Sequence, residues 1–256
     1  MTGTPTSNLW FTSPRPNPRA ALRLFCFPYA GGSAHIYRPW PEGLPPGVEL
    51  VTAHLPGRGN RINEPPHTNL LPLVRELAEA IQPQLDRPFA FFGHSMGAMI
   101  CFELARRLRR EGGARPRHLF VSGRTAPQLK ADRPSPHDLP QDEFESELRR
   151  LKGTPDKVLA HAELMQLVLP PLRADFTLVG TYAYSPEPPL ACPISAYGAV
   201  EDEEVSRENL EAWREQTTAA FNVRMFPGGH FFLHDARPLL LRTLARELGE
   251  VVRGIN

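Results

Sequence analysis

With 29 Lys and Arg against 28 Asp and Glu, the 256-residue chain has a formal net charge of +1 and lacks the basic excess of a nucleic-acid-binding surface. Its 41% hydrophobic and 22% charged content is that of a soluble globular protein, and the length suits one domain, residues 1–256, with a substantial core. No segment approaches a membrane span and the N-terminus lacks the apolar core of a signal peptide; Cys26, Cys101 and Cys192, odd in number and without C-x-x-C spacing, read as reduced thiols. The expectation is a cytoplasmic protein with no metal and no disulfide.

Residues 1–19, rich in Pro, Ser and Thr, predict a loosely ordered arm with Trp10 and Phe11 as its candidate anchors, and carry no evident chemistry. ALRLFCFP at 21–28 predicts the first strand and runs into YAGGSAHIY, where two adjacent glycines keep the loop narrow. Such a loop is either a plain turn or a station for a backbone N–H beside a nucleophile. A second strand, VELVTAHL at 48–55, ends in PGRGNR. His54, Arg58, Arg61 and Glu64 lie in this passage, where charges are more often solvated or structural than functional. Leu73, Val74, Leu77, Ala80 and Ile81 then recur at helical spacing within 69–85.

The stretch that organises the chain is FAFFGHSMGAMICFELARRLRREGG, from Phe89. It predicts a short buried strand, a G-x-S-x-G turn bearing Ser95, and a helix closed by Arg109, Arg110 and two glycines. Small residues at 93 and 97 let strand and helix approach while the serine is held in a strained turn with its hydroxyl outward. The pentapeptide alone is loose; its flanking strand and helix are what favour a nucleophile. HLFVS at 118–122 predicts a further strand, so the alternation argues for an α/β fold with a mostly parallel central sheet flanked by helices.

From about 127 to 189 helical segments replace the alternation. One spans 142–151; another carries Leu164, Val168, Leu172, Phe176 and Val179, with Pro170 and Pro171 expected to kink or split it. Leaving the sheet just after the strand that follows the nucleophile, the insertion predicts a helical lid, against a simpler packing role. The sheet resumes with CPISAYG at 192–198, followed by AVEDEEV, where Asp202 is preferred over Glu201 and Glu203 as the acid that orients a catalytic histidine. Ser206 is placed to cap a helix over 207–216, FNVRMF at 221–226 is the last strand, and the segment 237–252 reads as an amphipathic helix closing the sheet edge. Between them His230 follows two glycines. The order Ser95, Asp202, His230 is that of an α/β-hydrolase triad, with His234 as the fallback base and His94 more suited to shaping the turn.

Taken together, FPYAGGSA at 27–34, LPGRGNR at 55–61, GHSMGA at 93–98, LPPLRADF at 169–176, CPISAYG at 192–198 and FPGGHFFL at 226–233 make the chain resemble the type II thioesterases that accompany polyketide synthases and nonribosomal peptide synthetases. The resemblance implies an α/β-hydrolase fold with a helical lid. It further implies a free-standing monomer that removes aberrant or stalled acyl groups from the phosphopantetheine of acyl or peptidyl carrier domains. The cofactor-like arm then belongs to the substrate. Ser95, His230 and Asp202 would be the triad, and the backbone N–H groups of Met96 and Ala30 the oxyanion hole. The chain departs from many relatives in reading GAVEDEEV around the acid. Carrier domains of this class tend to be acidic, so Arg106, Arg107, Arg109, Arg110, Arg149, Arg150 and Lys152 invite docking, although a solvated helix face is the simpler account. A carboxylesterase or lipase, a chain-releasing type I thioesterase and a catalytically silent binding protein are the competing readings.

Overall fold

The computed structural model describes residues 9–130, 133, 135–154 and 156–255. Seven strands form one sheet: β1 (Phe11–Thr12), β2 (Leu22–Phe27), β3 (Val48–Ala53), β4 (Phe89–His94), β5 (Leu119–Ser122), β6 (Ile194–Ala199) and β7 (Phe221–Phe226), in the spatial order β1-β3-β2-β4-β5-β6-β7. All neighbours pair in parallel except β1, which lies antiparallel to β3 at the edge.

Strands β3 and β4 are buried at every residue, which requires cover on both faces of the sheet. The alternation of side chains across β4 sorts that cover. Phe89 and Phe91 join a core with Phe25, Phe27, helix α1 (Leu70–Ile81) and helix α2 (Met96–Arg110). Ala90 and Phe92 join the opposite core with Leu24, Trp40 and Phe120, roofed by Leu240, Leu244 and Leu248 of the terminal helix. That helix, Arg237–Arg253, therefore covers a sheet face and does not close an edge as the sequence suggested; its apolar stripe finds more area to bury there than a single edge strand offers.

The N-terminal segment also departs from expectation. Instead of a loose arm throughout, it supplies β1, because Phe11 is buried edge-on against Phe25 and Phe27 while Trp10 stacks on the Arg61 guanidinium at 3.7 Å. The first eight residues of the expected arm lie outside the described residues. The three cysteines are free and buried, and burial pushes their thiols up, so they behave as packing groups. None of the described helices is long and apolar enough to cross a membrane.

Between β5 and β6 the chain leaves the sheet and forms α3 (Gln141–Leu151), α4 (Asp156–Leu159) and α5 (Ala162–Gly180). Phe144, Leu148, Met165 and Leu172 give this insertion its own small core. Pro170 and Pro171 sit inside α5, which is one continuous helix and is not split. The missing N–H groups orphan the carbonyls of Gln166 and Leu167, both on exposed residues where water can bond them, while Leu172, Ala174, Asp175 and Leu178 hold the buried side. After β6 come α6 (Arg207–Glu211), capped by the Ser206 hydroxyl accepting from Asn209 N and tightening into a 3-10 turn at Ala212, then α7 (Phe232–Asp235) and the terminal helix as α8.

Beneath this framework His118 bonds through Nε2 to Ser195 Oγ at 2.9 Å, and burial pushes its pKa down to about 4. The unfolded chain takes up this proton below about 6.5 and the folded chain only below about 4. The contribution is thus present above pH 6.5 and lost as pH falls through that window, at up to about 1.4 kcal/mol per pH unit for one proton. Urea midpoints at pH 7 and pH 4.5 should show this loss, and His118→Gln should reduce it without abolishing it, since buried His94 shifts in the same direction.

Candidate active site

The sheet order reverses between β3-β2 and β4-β5, so loops leaving the carboxyl ends of β2 and β4 diverge to opposite sides and leave a crevice at the switch point. Both loops carry predicted site residues. Ser95 follows β4 directly and adopts φ 52° and ψ −113°, a conformation costly for any residue with a Cβ. Its amide donates to Ser122 O at 2.7 Å, which pins the turn to β5. The two flanking glycines have no room for more: a Cβ on Gly93 would lie 2.1 Å from Gly97 O, and one on Gly97 would lie 2.1 Å from Phe27 O. Close approach of β4, α2 and the end of β2 is what aims Ser95 outward.

His230 stands on the loop after β7. Its Nδ1 lies 2.9 Å from Asp202 Oδ2, and the other carboxylate oxygen accepts from Glu204 N at 2.9 Å. The Asp202 side chain is fully enclosed. Glu201 N donates to Gly228 O at 3.0 Å, so the loops that carry acid and base are tied to each other through their backbones. A carboxylate on Nδ1 fixes the proton there and leaves Nε2 as the acceptor. Glu201 and Glu203 are exposed and His234 Nε2 is engaged by the Tyr29 hydroxyl at 2.8 Å, so neither alternative acid nor the alternative base enters this arrangement.

His94 lies beneath, fully buried, its Nδ1 2.9 Å from Ser122 Oγ and its ring 5.1 Å from that of His230. Burial drives its pKa well below the ordinary value, so it is a neutral support for the turn and for the base.

Ser95, His230 and Ala30 line one cavity of about 600 Å³, which Leu148, Leu151, Leu172 and Phe176 of the insertion also line. Ser95 Oγ and His230 face this common space without a direct hydrogen bond, a looseness common before a substrate is bound. The N–H groups of Ala30 and Met96 are not spent on any hydrogen bond with the described residues. The loop holding Ala30 is fixed on both sides: Gly32 N donates to Tyr29 O at 2.9 Å, and Gly31 N donates to Asp175 Oδ2 at 2.7 Å.

Asp175 was not among the residues singled out in the sequence. It reaches down from α5 and takes both guanidinium nitrogens of Arg58, at 2.5 and 2.7 Å, with both partners buried. Arg58, grouped in the sequence with His54, Arg61 and Glu64, is the one of the four that touches the site loop. His54 instead bonds Thr12 and Asn60, and Arg61 pairs with Glu64 under Trp10. The signal for Asp175 was available: an acid three residues after Leu172 sits on the apolar face of its helix, where an unpaired carboxylate is not tolerated.

The arginines that invited a docking surface are largely consumed within the chain. Arg106, Arg109 and Arg110 converge on Glu187, Arg106 also pairs with Glu103, Arg107 pairs with Glu111, Arg149 with Glu145, and Arg150 with Glu147 and Glu204.

The parallel sheet, the strained strand-to-helix turn after β4 and the cavity at the switch point are those of an α/β-hydrolase fold. The model of the thioesterase domain matches residues 22–248, and the chain belongs to that family; it is a thioester hydrolase. Among similar proteins, the gramicidin S biosynthesis protein GrsT of Aneurinibacillus migulanus is 48% identical over 241 residues, covering 94% of each chain. The RedJ thioesterase from the prodiginine pathway of Streptomyces coelicolor superposes with a TM-score of 0.84 at 44% identity, over 89% of this chain and 86% of that one. The type II thioesterase BorB from the borrelidin biosynthetic cluster gives 0.85 at 37% identity, over 94% and 98%.

Proposed function

We propose that the protein is a stand-alone editing thioesterase that hydrolyses aberrant or stalled acyl groups from the phosphopantetheine arms of acyl or peptidyl carrier domains in polyketide or nonribosomal peptide assembly. The observation that carries the reading is the hydrogen-bonded Asp202–His230 pair at the same cavity as Ser95. Similarity to the type II thioesterases BorB, from the borrelidin biosynthetic cluster, and YbtT, from the yersiniabactin NRPS/PKS biosynthetic pathway, supports the substrate class.

In this reading His230 Nε2 takes the Ser95 proton as Oγ attacks the thioester carbonyl, with Asp202 stabilising the imidazolium. The amides of Ala30 and Met96 receive the developing oxyanion. Collapse breaks the C–S bond; the His230 proton goes to the pantetheine sulfur and an acyl-Ser95 ester remains. A water deprotonated by His230 then attacks that ester, and the free acid leaves as Ser95 regains its proton. The insertion acts as the lid that encloses the acyl chain. The protein works as a monomer and recruits no metal or bound cofactor.

The test is release of acyl groups from a panel of acyl-phosphopantetheinyl carriers. Serine-dependent release as free acids is expected. Cleavage of oxygen esters with no release from carriers would assign an esterase, and cyclic products would assign a chain-releasing enzyme.

A further inference from the structure

The end of β5 holds a second polar feature of the cavity that the triad does not use. Gly123 turns the chain at φ +57°, so close to the site that a Cβ there would meet His94 Cε1 at 2.6 Å, and its amide donates to Tyr197 O at 2.8 Å. Arg124 follows. Its carbonyl accepts from Trp213 Nε1 at 2.7 Å, which fixes the backbone, and Arg124 is one of the residues lining the cavity that contains Ser95 and His230.

The guanidinium of Arg124 makes no hydrogen bond or ion pair with any described residue. That sets it apart from Arg58, Arg106 and Arg150, each of which meets a carboxylate. The nearby candidates for a counter-charge are already committed. Glu103 takes Arg106 and the Tyr182 hydroxyl, the Tyr184 hydroxyl donates to Gln216, and the cavity acids Glu147 and Glu204 share Arg150. Met99, Phe102 and Trp213 supply apolar wall on the same side. Burial lowers the pKa of Arg124 to about 10, so the group is still a cation at neutral pH.

A half-buried cation at a cavity wall, without a partner among the described residues, gains most from an anion of matching shape that displaces the water on it. The planar fork of a guanidinium matches a carboxylate through two parallel N–H···O bonds. In the reading above two parts of the substrate enter this cavity, the acyl chain and the phosphopantetheine arm, and of the two it is the acyl chain that differs from one substrate to the next. We propose that Arg124 is a specificity-determining residue that receives a carboxylate carried by the acyl group, so that the substrate class includes half-thioesters of dicarboxylic acids. The proposal rests on Ser95 acting as the nucleophile of the same cavity.

The test uses carrier protein charged with malonyl, succinyl or glutaryl groups and with neutral acyl groups of equal chain length, with the wild type, Arg124→Gln and Arg124→Lys. The readout is the ratio of kcat/KM for carboxylated over neutral acyl groups. Arg124→Gln should lower that ratio by roughly 10- to 100-fold for at least one chain length, as loss of a charge-assisted bidentate pair implies, and Arg124→Lys should restore part of it. A ratio unchanged in Arg124→Gln would overturn the proposal, and so would a wild type that releases neutral groups but leaves every carboxylated one untouched. Failure of the wild type to release any acyl group would instead overturn the thioesterase assignment beneath it. Should Arg124→Gln not fold, inhibition of the wild type decides: glutarate should compete with a neutral acyl carrier far better than glutaramide, and equal inhibition by the two sinks the idea.

Discussion

Ser95→Ala should lose acyl release by on the order of 10^4-fold or more while remaining folded, because attack by Oγ begins the whole sequence and the remaining site provides only binding and the oxyanion amides. The same position separates function from stability. At φ 52° and ψ −113° both serine and alanine are strained by their Cβ, at about 1–3 kcal/mol. Ser95→Gly removes that strain. It should be as inactive as Ser95→Ala and more stable than it by about 1 kcal/mol, which urea unfolding of the two variants at one pH measures. Equal stabilities would mean that the turn is held by its hydrogen bond to Ser122 and its packing without appreciable cost.

The second large effect is expected at the clamp between α5 and the loop after β2. Asp175→Ala leaves Arg58 buried without its partner and leaves Gly31 N without its acceptor. A loss of about 3–5 kcal/mol is expected for breaking such a pair from one side. Activity should fall as well, since the loop carrying the Ala30 amide is no longer held from above. Replacing both partners, Arg58→Met with Asp175→Leu, should recover much of the stability, because no charge is then left buried. It should not recover kcat if the bond to Gly31 N positions the oxyanion loop. Thermal or urea unfolding together with kcat for the two single variants and the double variant separates these contributions. Full recovery of kcat in the double variant would show that the clamp only stabilises.

Much of this arrangement could be read along the chain because it is written in local chemistry. Strand β4, its two glycines and α2 form an uninterrupted stretch, so steric demands at Gly93 and Gly97 are visible as residue choice. His230 and Asp202 were legible through their order after late strands, and their hydrogen bond fits that reading. The preference for Asp202 over Glu201 rested on less, since neighbouring acids differ only in where the loop turns. The link from Glu201 N to Gly228 O is what turns Asp202 inward.

That α5 is not split at Pro170 and Pro171 has a related reason. A proline's local cost is fixed, but whether the orphaned carbonyls find water depends on which side of the helix faces out. Arg58 and Asp175 are 117 positions apart, so neither could be assigned a partner from spacing. The basic residues of α2 looked like a free patch because their partner, Glu187, arrives from a loop remote in sequence.

By itself the sequence determined the alternation of strands and helices, the strained turn at Ser95 and the order of the three candidate catalytic residues, all set by short-range sterics and hydrophobic periodicity. Tertiary structure decided what depends on distant groups meeting. It set the acid against His230, tied α5 to the loop after β2 through Arg58, covered a sheet face with α8, and left Arg124 without a partner among the described residues. Charges are satisfied or stranded by neighbours in space, and a linear pattern carries no record of them.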